Sequence, residues 1–200
     1  MNKPFWEDAY KDYNTNAFGK PSPEIIDLSN RLPKCYKVLD IGCGEGRNAI
    51  FLASKGFAVD AFDISQAGID KLTILAKQNN IKINAWVQDI SNYKFLNKYD
   101  FIIAHGVLHL IEKNIRNNLI IDIKEHTSNN GVNVIAIFTN TIPAPLDLAD
   151  IMIGLFDDNE IKTFYDDWKI DLYENYIFED EHPGEIKHRH PLNKIVAFRQ

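Results

Sequence analysis

A chain of 200 residues is long enough for one domain with a full hydrophobic core and short for two. Its 45% hydrophobic and 25% charged residues are ordinary for a globular protein, and no apolar run approaches the ~18 residues of a membrane span. A net charge of −6 without any Lys/Arg run argues against a phosphate-tracking nucleic-acid binder, and two cysteines without metal-type spacing suggest reduced thiols.

The opening MNKPFWEDAY has no continuous apolar core and does not read as a signal peptide, so the expected setting is the cytoplasm. The aromatics Phe5, Trp6, Tyr10, Tyr13 and Phe18 make this stretch too hydrophobic for a free tail. A helix is expected from Pro23 to Asn30, then a strand from Lys37 to Ile41. The helix Arg47 to Lys55 places Ile50, Phe51 and Ala53 around one turn and stops at Gly56, a good residue after a C-cap. The strand Ala58 to Asp63 follows. Ser65 then caps a helix from Gln66 to Asn79, with Ile69, Leu72 and Ala76 on one face. Strands at Asn84 to Val87, Phe101 to His105 and Val132 to Thr139 flank a helix from Asn114 to Thr127, whose face carries Ile115, Leu119, Ile123 and His126. Pro143 and Pro145 break the chain, and Leu146 to Phe156 reads as a covering segment. Trp168 to Phe178 and Asn193 to Phe198 alternate apolar and polar residues, as half-buried antiparallel strands do. The expected fold is α/β: a Rossmann-like, mostly parallel seven-stranded sheet, helices on both faces, and a C-terminal antiparallel hairpin.

The most informative motif is VLDIGCGEGRN, residues 38 to 48. A strand ends at Asp40, and Gly42, Gly44 and Gly46 lead into a helix, a pattern that lets backbone approach a ligand at a helix N-terminus. The third glycine comes one residue too early for the dinucleotide fingerprint, and an acid beside a pyrophosphate is repulsive. An amine or sulfonium suits Asp40 better; another nucleotide-binding turn is the alternative. Asp63 closes the second strand, where a carboxylate can accept from both ribose hydroxyls or simply cap the next helix. Asp89 and Ile90 follow the third strand, and His105-Gly106 ends the fourth.

In these elements, from Val38 to Leu110, the chain resembles the class I S-adenosylmethionine-dependent methyltransferases. The runs GCGEGRNAIFLASKGFAVDAFD, FYDDWKIDLYE and HPGEIKHRH, with Trp6 and Tyr10, resemble the tellurite-resistance-type methyltransferases and their small-molecule relatives. The resemblance implies S-adenosyl-L-methionine as cofactor and S-adenosyl-L-homocysteine as product. Asp40, Gly42 and Gly44 would surround its methionine part, with Gly46 at the turn. Asp63 would hold the ribose, Ile64 would pack on adenine, Asp89 and Ile90 would meet the adenine edge, and His105 would lie near the methionine group. Trp6 and Tyr10 would cover the cofactor or simply pack. It also implies one methyltransferase domain over 1–200: an aromatic cap at 1–30, a cofactor-binding core at 37–139, and a lid with hairpin at 140–200.

His182, His188, Arg189 and His190 crowd the tail. His188 and His190 share a face if they lie on a strand. With Arg189 they are candidates to hold an anionic or metalloid acceptor or to take a proton; two solvent-facing loop histidines are the alternative. No zinc or other metal is expected, and no Asn/Asp-Pro-Pro-aromatic signature of amino-methylating enzymes is present. The expected partner is a small-molecule methyl acceptor, without nucleic acid or membrane, the chain being a monomer or homodimer. The acceptor is tellurite or selenite, or a metabolite such as a thiol, quinone precursor or amine. A non-catalytic cofactor-binding protein is the other class.

Overall fold

Short β-branched and aromatic runs set between polar turns become strands, and the segments joining them become helices. The computed structural model describes residues 5–13, 19–182 and 186–200. Phe18 and the side chains of Phe5 and His182 lie outside the described residues. In chain order come α1 (Phe5–Ala9), α2 (Pro23–Arg31), β1 (Lys37–Ile41), α3 (Arg47–Ser54) and β2 (Ala58–Asp63). Next are α4 (Gln66–Gln78), β3 (Asn84–Val87), β4 (Tyr99–His105), α5 (Lys113–Glu125) and β5 (Thr127–Phe138), and last α6 (Glu160–Thr163), β6 (Lys169–His182) and β7 (Ile186–Phe198). Two 3₁₀ turns, Ile90–Asn92 and Leu108–Leu110, follow β3 and β4.

The sheet has seven strands in the order β3-β2-β1-β4-β5-β7-β6. β1 pairs with β2 and β2 with β3 in parallel, whereas β7 runs antiparallel to both β5 and β6. The chain divides into two compact units, Met1–Ile103 and Ala104–Gln200. In the first, Val38, Leu39, Ile41, Leu52, Ala61, Phe62 and Phe101 are buried; in the second, Leu119, Ile120, Val134, Ile135, Phe156 and Ile195 are. No helix among the described residues is long and apolar enough to cross a membrane.

The expected elements appear, with informative differences. In α3 the inward residues are Ala49 and Leu52, not Ile50, Phe51 and Ala53. In α5 the buried face is Arg116, Leu119, Ile120 and Ile123, so an arginine takes the place expected of Ile115. Its guanidinium lies 3.5 Å from the Phe156 ring centroid, donates to the Leu155 carbonyl and pairs with Glu160. A weakly hydrated planar cation lying on an aromatic face tolerates such burial. The terminal strands run longer than expected, because β6 and β7 stay paired from Lys169–Phe198 to His182–Ile186, with one register shift between Ile170 and Leu172.

A second buried cation sits on α4. Lys71 is fully buried; its Nζ lies 2.6 Å from Glu45 Oε2 and donates to the Asp12 carbonyl at 2.7 Å. This links the glycine-rich turn, α4 and the N-terminal segment. Removing one member of a buried pair leaves the other charge desolvated, so Lys71→Met should cost about 3–5 kcal/mol. The double variant Lys71→Met/Glu45→Gln should recover much of that loss in urea denaturation. Additive losses would show that the two charges are not coupled.

Candidate active site

The turn between β1 and α3 is built from left-handed backbone. Gly42, Gly44 and Gly46 have φ of 67°, 56° and 85°, a region that side-chain-bearing residues rarely adopt. At Gly44 a Cβ would also collide with the Tyr10 hydroxyl, so α1 reaches the turn only because that position is glycine. The amides of Gly42 and Cys43 donate to the Phe62 carbonyl at 2.9 and 3.0 Å, fixing the turn to β2. Gly46 is the N-cap of α3 and has no side chain to bond the first-turn N–H groups.

Asp63 completes the frame. One carboxylate oxygen accepts from the Gly44 amide and the other from the Ser65 amide, both at 2.8 Å. Ser65 itself caps α4 by accepting from the Gly68 amide. The cap is therefore Ser65, and Asp63 braces the glycine turn while keeping lone pairs beyond those two bonds. Burial raises its pKa, and the backbone donors partly offset that.

Asp40 is 2% exposed, and its Oδ2 has no hydrogen-bond partner among the described residues. Burial pushes its pKa up to about 7; Arg47 opposes the shift, and nearby Asp63 adds to it. Arg47, mostly buried itself, has its pKa lowered. Burial also holds the Cys43 thiol and the Tyr10 phenol well above their ordinary values, so both stay protonated. Two carboxyls packed together leave negative charge that an ammonium or sulfonium would neutralise.

Around this turn, Ile64 is exposed and follows β2, while Val87 at the end of β3 is exposed and Ile90 partly so. Apolar side chains open to solvent at strand ends suit the face of an aromatic ring. Asp89 caps the turn Ile90–Asn92 by accepting from the Ser91 amide. Trp6 on α1 is half-buried, and Tyr10 is 6% exposed. Trp6, Tyr10, Asp40, the three glycines, Asp63, Ile64, Asp89 and Ile90 all fall in the first unit, where Tyr10 and Asp63 meet the turn at Gly44.

All six histidines of the sequence fall in the second unit, and four of them lie at the end of β4, in the turn after it and on β7. His105 ends β4, and His109 is buried in the 3₁₀ turn after it. His188 and His190 lie on β7, 4% and 2% exposed, so they are not solvent-facing loop residues. His190 stacks flat on Phe138, ring centroids 4.4 Å apart at 7°, and His109 packs on Phe138 at 4.3 Å. His109 Nδ1 accepts the Phe138 amide at 3.2 Å, which places its own proton on Nε2. Burial, then His190, His105 and Arg116, push its pKa down to about 3, so it stays neutral. Arg189 departs from expectation: strand alternation turns it away from the two histidines, and it is exposed and paired with Glu179 at 3.2 Å. Among the described residues no three His, Cys, Asp or Glu gather into a metal-binding group.

Comparison with known proteins decides the family. A family model described as tellurite resistance protein TehB matches residues 4–190. The chain belongs to the TehB family. It is 32% identical over 188 residues to a probable S-adenosyl-L-methionine-dependent methyltransferase TehB of Haemophilus influenzae, covering 90% of this chain and 63% of that protein. The chain therefore spans less than two thirds of that relative's length. The crystal structure of Haemophilus influenzae TehB superposes with a TM-score of 0.82 at 27% identity, over 98% of this chain and 67% of that one. A ubiquinone biosynthesis O-methyltransferase of Rickettsia conorii is 34% identical over 118 residues, 59% of this chain and 40% of that protein.

Sequence reasoning missed the residues whose partners are distant in the chain: Lys71, Arg116, and Asp147, which lies 3.2 Å from His188 Nε2. Only Lys71 left a trace, since it follows Gly68 at helical spacing on the buried face of α4.

The raised pKa of Asp40 has a stability consequence with a definite sign. Its folded value, about 7, exceeds the ordinary 3.8, so between those values the folded state holds a proton that the unfolded state has lost. Stability of the ligand-free protein should fall as pH rises through that window. Asp40→Asn should flatten the fall in denaturation midpoints between pH 4 and 7; an identical profile would place Asp40 with an ordinary pKa.

Proposed function

We propose that this chain works as one S-adenosylmethionine-dependent methyltransferase domain acting on a small-molecule acceptor. The observation that carries the reading is the buried Asp40 carboxyl, one oxygen unsatisfied, beside Asp63 in a left-handed glycine turn. An acidic cradle at that turn repels a pyrophosphate and favours a ligand bearing ammonium and sulfonium charge. The names of the TehB and O-methyltransferase relatives point the same way.

When bound, the cofactor supplies a methyl group already activated on a sulfonium. The chain's own residues bind and orient. Asp40, Gly42 and Gly44 would hold the amino-acid end, and Gly46 permits the entry into α3. Asp63 accepts from the ribose hydroxyls, Ile64 packs on the adenine face, Asp89 and Ile90 meet the adenine edge, and Trp6 and Tyr10 cover it. Alignment and exclusion of water supply most of what such a displacement needs.

His188 and His190 hold the acceptor. Arg189 is exposed and pairs with Glu179 at 3.2 Å, yet it lines the same concavity as His190 and stays a candidate to meet the acceptor. A concavity in the second unit is lined by Phe138, Thr139, Ile142, Pro143, Met152, Leu155, Arg189 and His190. Its apolar and polarisable part suits a soft acceptor such as a thiol, and the Arg189 cation in the same lining suits an oxyanion such as tellurite or selenite.

Calorimetric titration with S-adenosylhomocysteine, with NADH as control, tests the cofactor. One-site binding of the first alone is expected, weakened by Asp63→Ala by about 1.5–3 kcal/mol for bonds to a charged group. Binding of NADH alone would overturn the reading. Cofactor binding without turnover of any acceptor would make the chain a binding protein.

A further inference from the structure

A buried ion pair contributes little stability that well-packed apolar side chains would not, so Lys71 and Glu45 inside the first unit call for another reason. Three residues on one face of α4 press on the glycine turn in step along it. A Cβ on Gly68 would lie 2.9 Å from the Gly44 carbonyl oxygen, Lys71 Nζ reaches Glu45 Oε2 at 2.6 Å, and Leu72 Cδ1 stands 2.5 Å from the place of a Cβ on Gly46. Positions i, i+3 and i+4 share a helix face, so α4 is the template against which residues 44 to 46 are set.

The same ammonium reaches the N-terminal segment, donating to the Asp12 carbonyl at 2.7 Å. The backbone leading to that carbonyl is hydrogen-bonded step by step. The Tyr10 amide donates to Trp6 at 2.8 Å, that of Lys11 to Asp8 at 3.2 Å, and that of Asp12 to Ala9 at 3.3 Å. Fixing Asp12 therefore fixes α1. A helix of five residues does not hold itself in water, so its place depends on such ties. The Tyr10 ring shows where α1 is set: its hydroxyl occupies the space of a Cβ on Gly44, and its Cδ2 lies 3.2 Å from the place of a Cβ on Gly68. Trp6, four residues earlier, shares that helix face.

Resting on the cofactor reading above, we propose that Lys71 is a positioning residue for cofactor binding: one ammonium fastens both the Glu45 carboxylate of the glycine turn and the Asp12 carbonyl, and so sets Trp6 and Tyr10 against the turn that binds the cofactor. An ammonium has three N–H donors, so it serves a carboxylate and a carbonyl together, whereas an apolar side chain serves neither. The two partners have separate tasks. Glu45 supplies the negative charge that lets the ammonium stay buried, and Asp12 receives the tie. The consequence is kinetic, because groups that cover a bound ligand act mainly on its release.

The double variant Lys71→Met/Glu45→Gln removes the donor to Asp12 without leaving either charge buried and unpaired. In the full chain it should keep most of the wild-type stability, yet release S-adenosylhomocysteine about tenfold faster in stopped-flow displacement. Amide hydrogen exchange should quicken over Trp6 to Asp12 and keep its wild-type rates in β1 and β2. A purely structural role would instead loosen the whole unit. Tyr10→Ala should also speed release, and combined with the double variant it should give much less than the product of the two effects, because both act through one cover. Wild type supplies a test that needs no variant: binding of S-adenosylhomocysteine should slow exchange of the Tyr10 and Asp12 amides by about tenfold or more. An α1 indifferent to the ligand, an unchanged release rate in the folded double variant, multiplicative effects with Tyr10→Ala, or loosening spread over the unit would overturn the assignment. If wild type binds no S-adenosylhomocysteine, the cofactor reading has failed and the positioning role falls with it. If it binds and release does not respond to Lys71, the positioning role alone is wrong.

Discussion

The first unit depends on one constraint: the chain must leave β1 and enter α3 within five residues, and it does so through left-handed backbone. Within that path the Gly46 amide donates to the Cys43 carbonyl at 2.9 Å, and neighbouring elements supply the rest. The end of β2 contributes a carbonyl from Phe62 and a carboxylate from Asp63, and α4 approaches because Gly68 presents no Cβ to the Gly44 carbonyl. Tyr10 closes over the turn from α1. Each contact is a close approach to backbone, which explains why glycine recurs on both sides of it.

Bracing a turn with carboxylates has an electrostatic cost, and the unit meets it unevenly. Glu45 is neutralised outright by Lys71, a pairing remote from solvent. Asp63 is offset by backbone N–H donors. Asp40 has the opposing charge of Arg47, yet burial still prevails and its pKa stays near 7. The least compensated acid is thus Asp40, buried in β1 next to the glycine turn.

Periodicity and punctuation revealed most of the fold in advance. β1, β2 and β3 fall at their expected bounds, β1 because a parallel strand buried on both faces is a dense apolar run and β3 although it is an edge strand with no buried residue, and Gly56 marks the end of α3 with φ of 93°. What could not be read was charge in the interior. Arg116 and Lys71 look like surface residues until Phe156, Glu160 and Glu45 arrive from distant parts of the chain. The tail was legible in composition but not in conformation. The polar run KHRH, residues 187–190, suggests a loop, whereas cross-strand pairing from β6 carries β7 through it and buries His188 and His190 but not Arg189. Tertiary pairing overrode local propensity there, and the same alternation separated Arg189 from its neighbours.

That separation also distinguishes the two buried histidines. His190 has one ring face occupied by Phe138, itself locked from behind by His109 through both stacking and an accepted amide hydrogen. Its ring is held flat by those neighbours. His188 meets His190 by an edge and has a carboxylate oxygen of Asp147 3.2 Å from Nε2. Two imidazoles two residues apart on one strand face read alike in sequence, yet the fold sets an aromatic ring against one and an acid against the other.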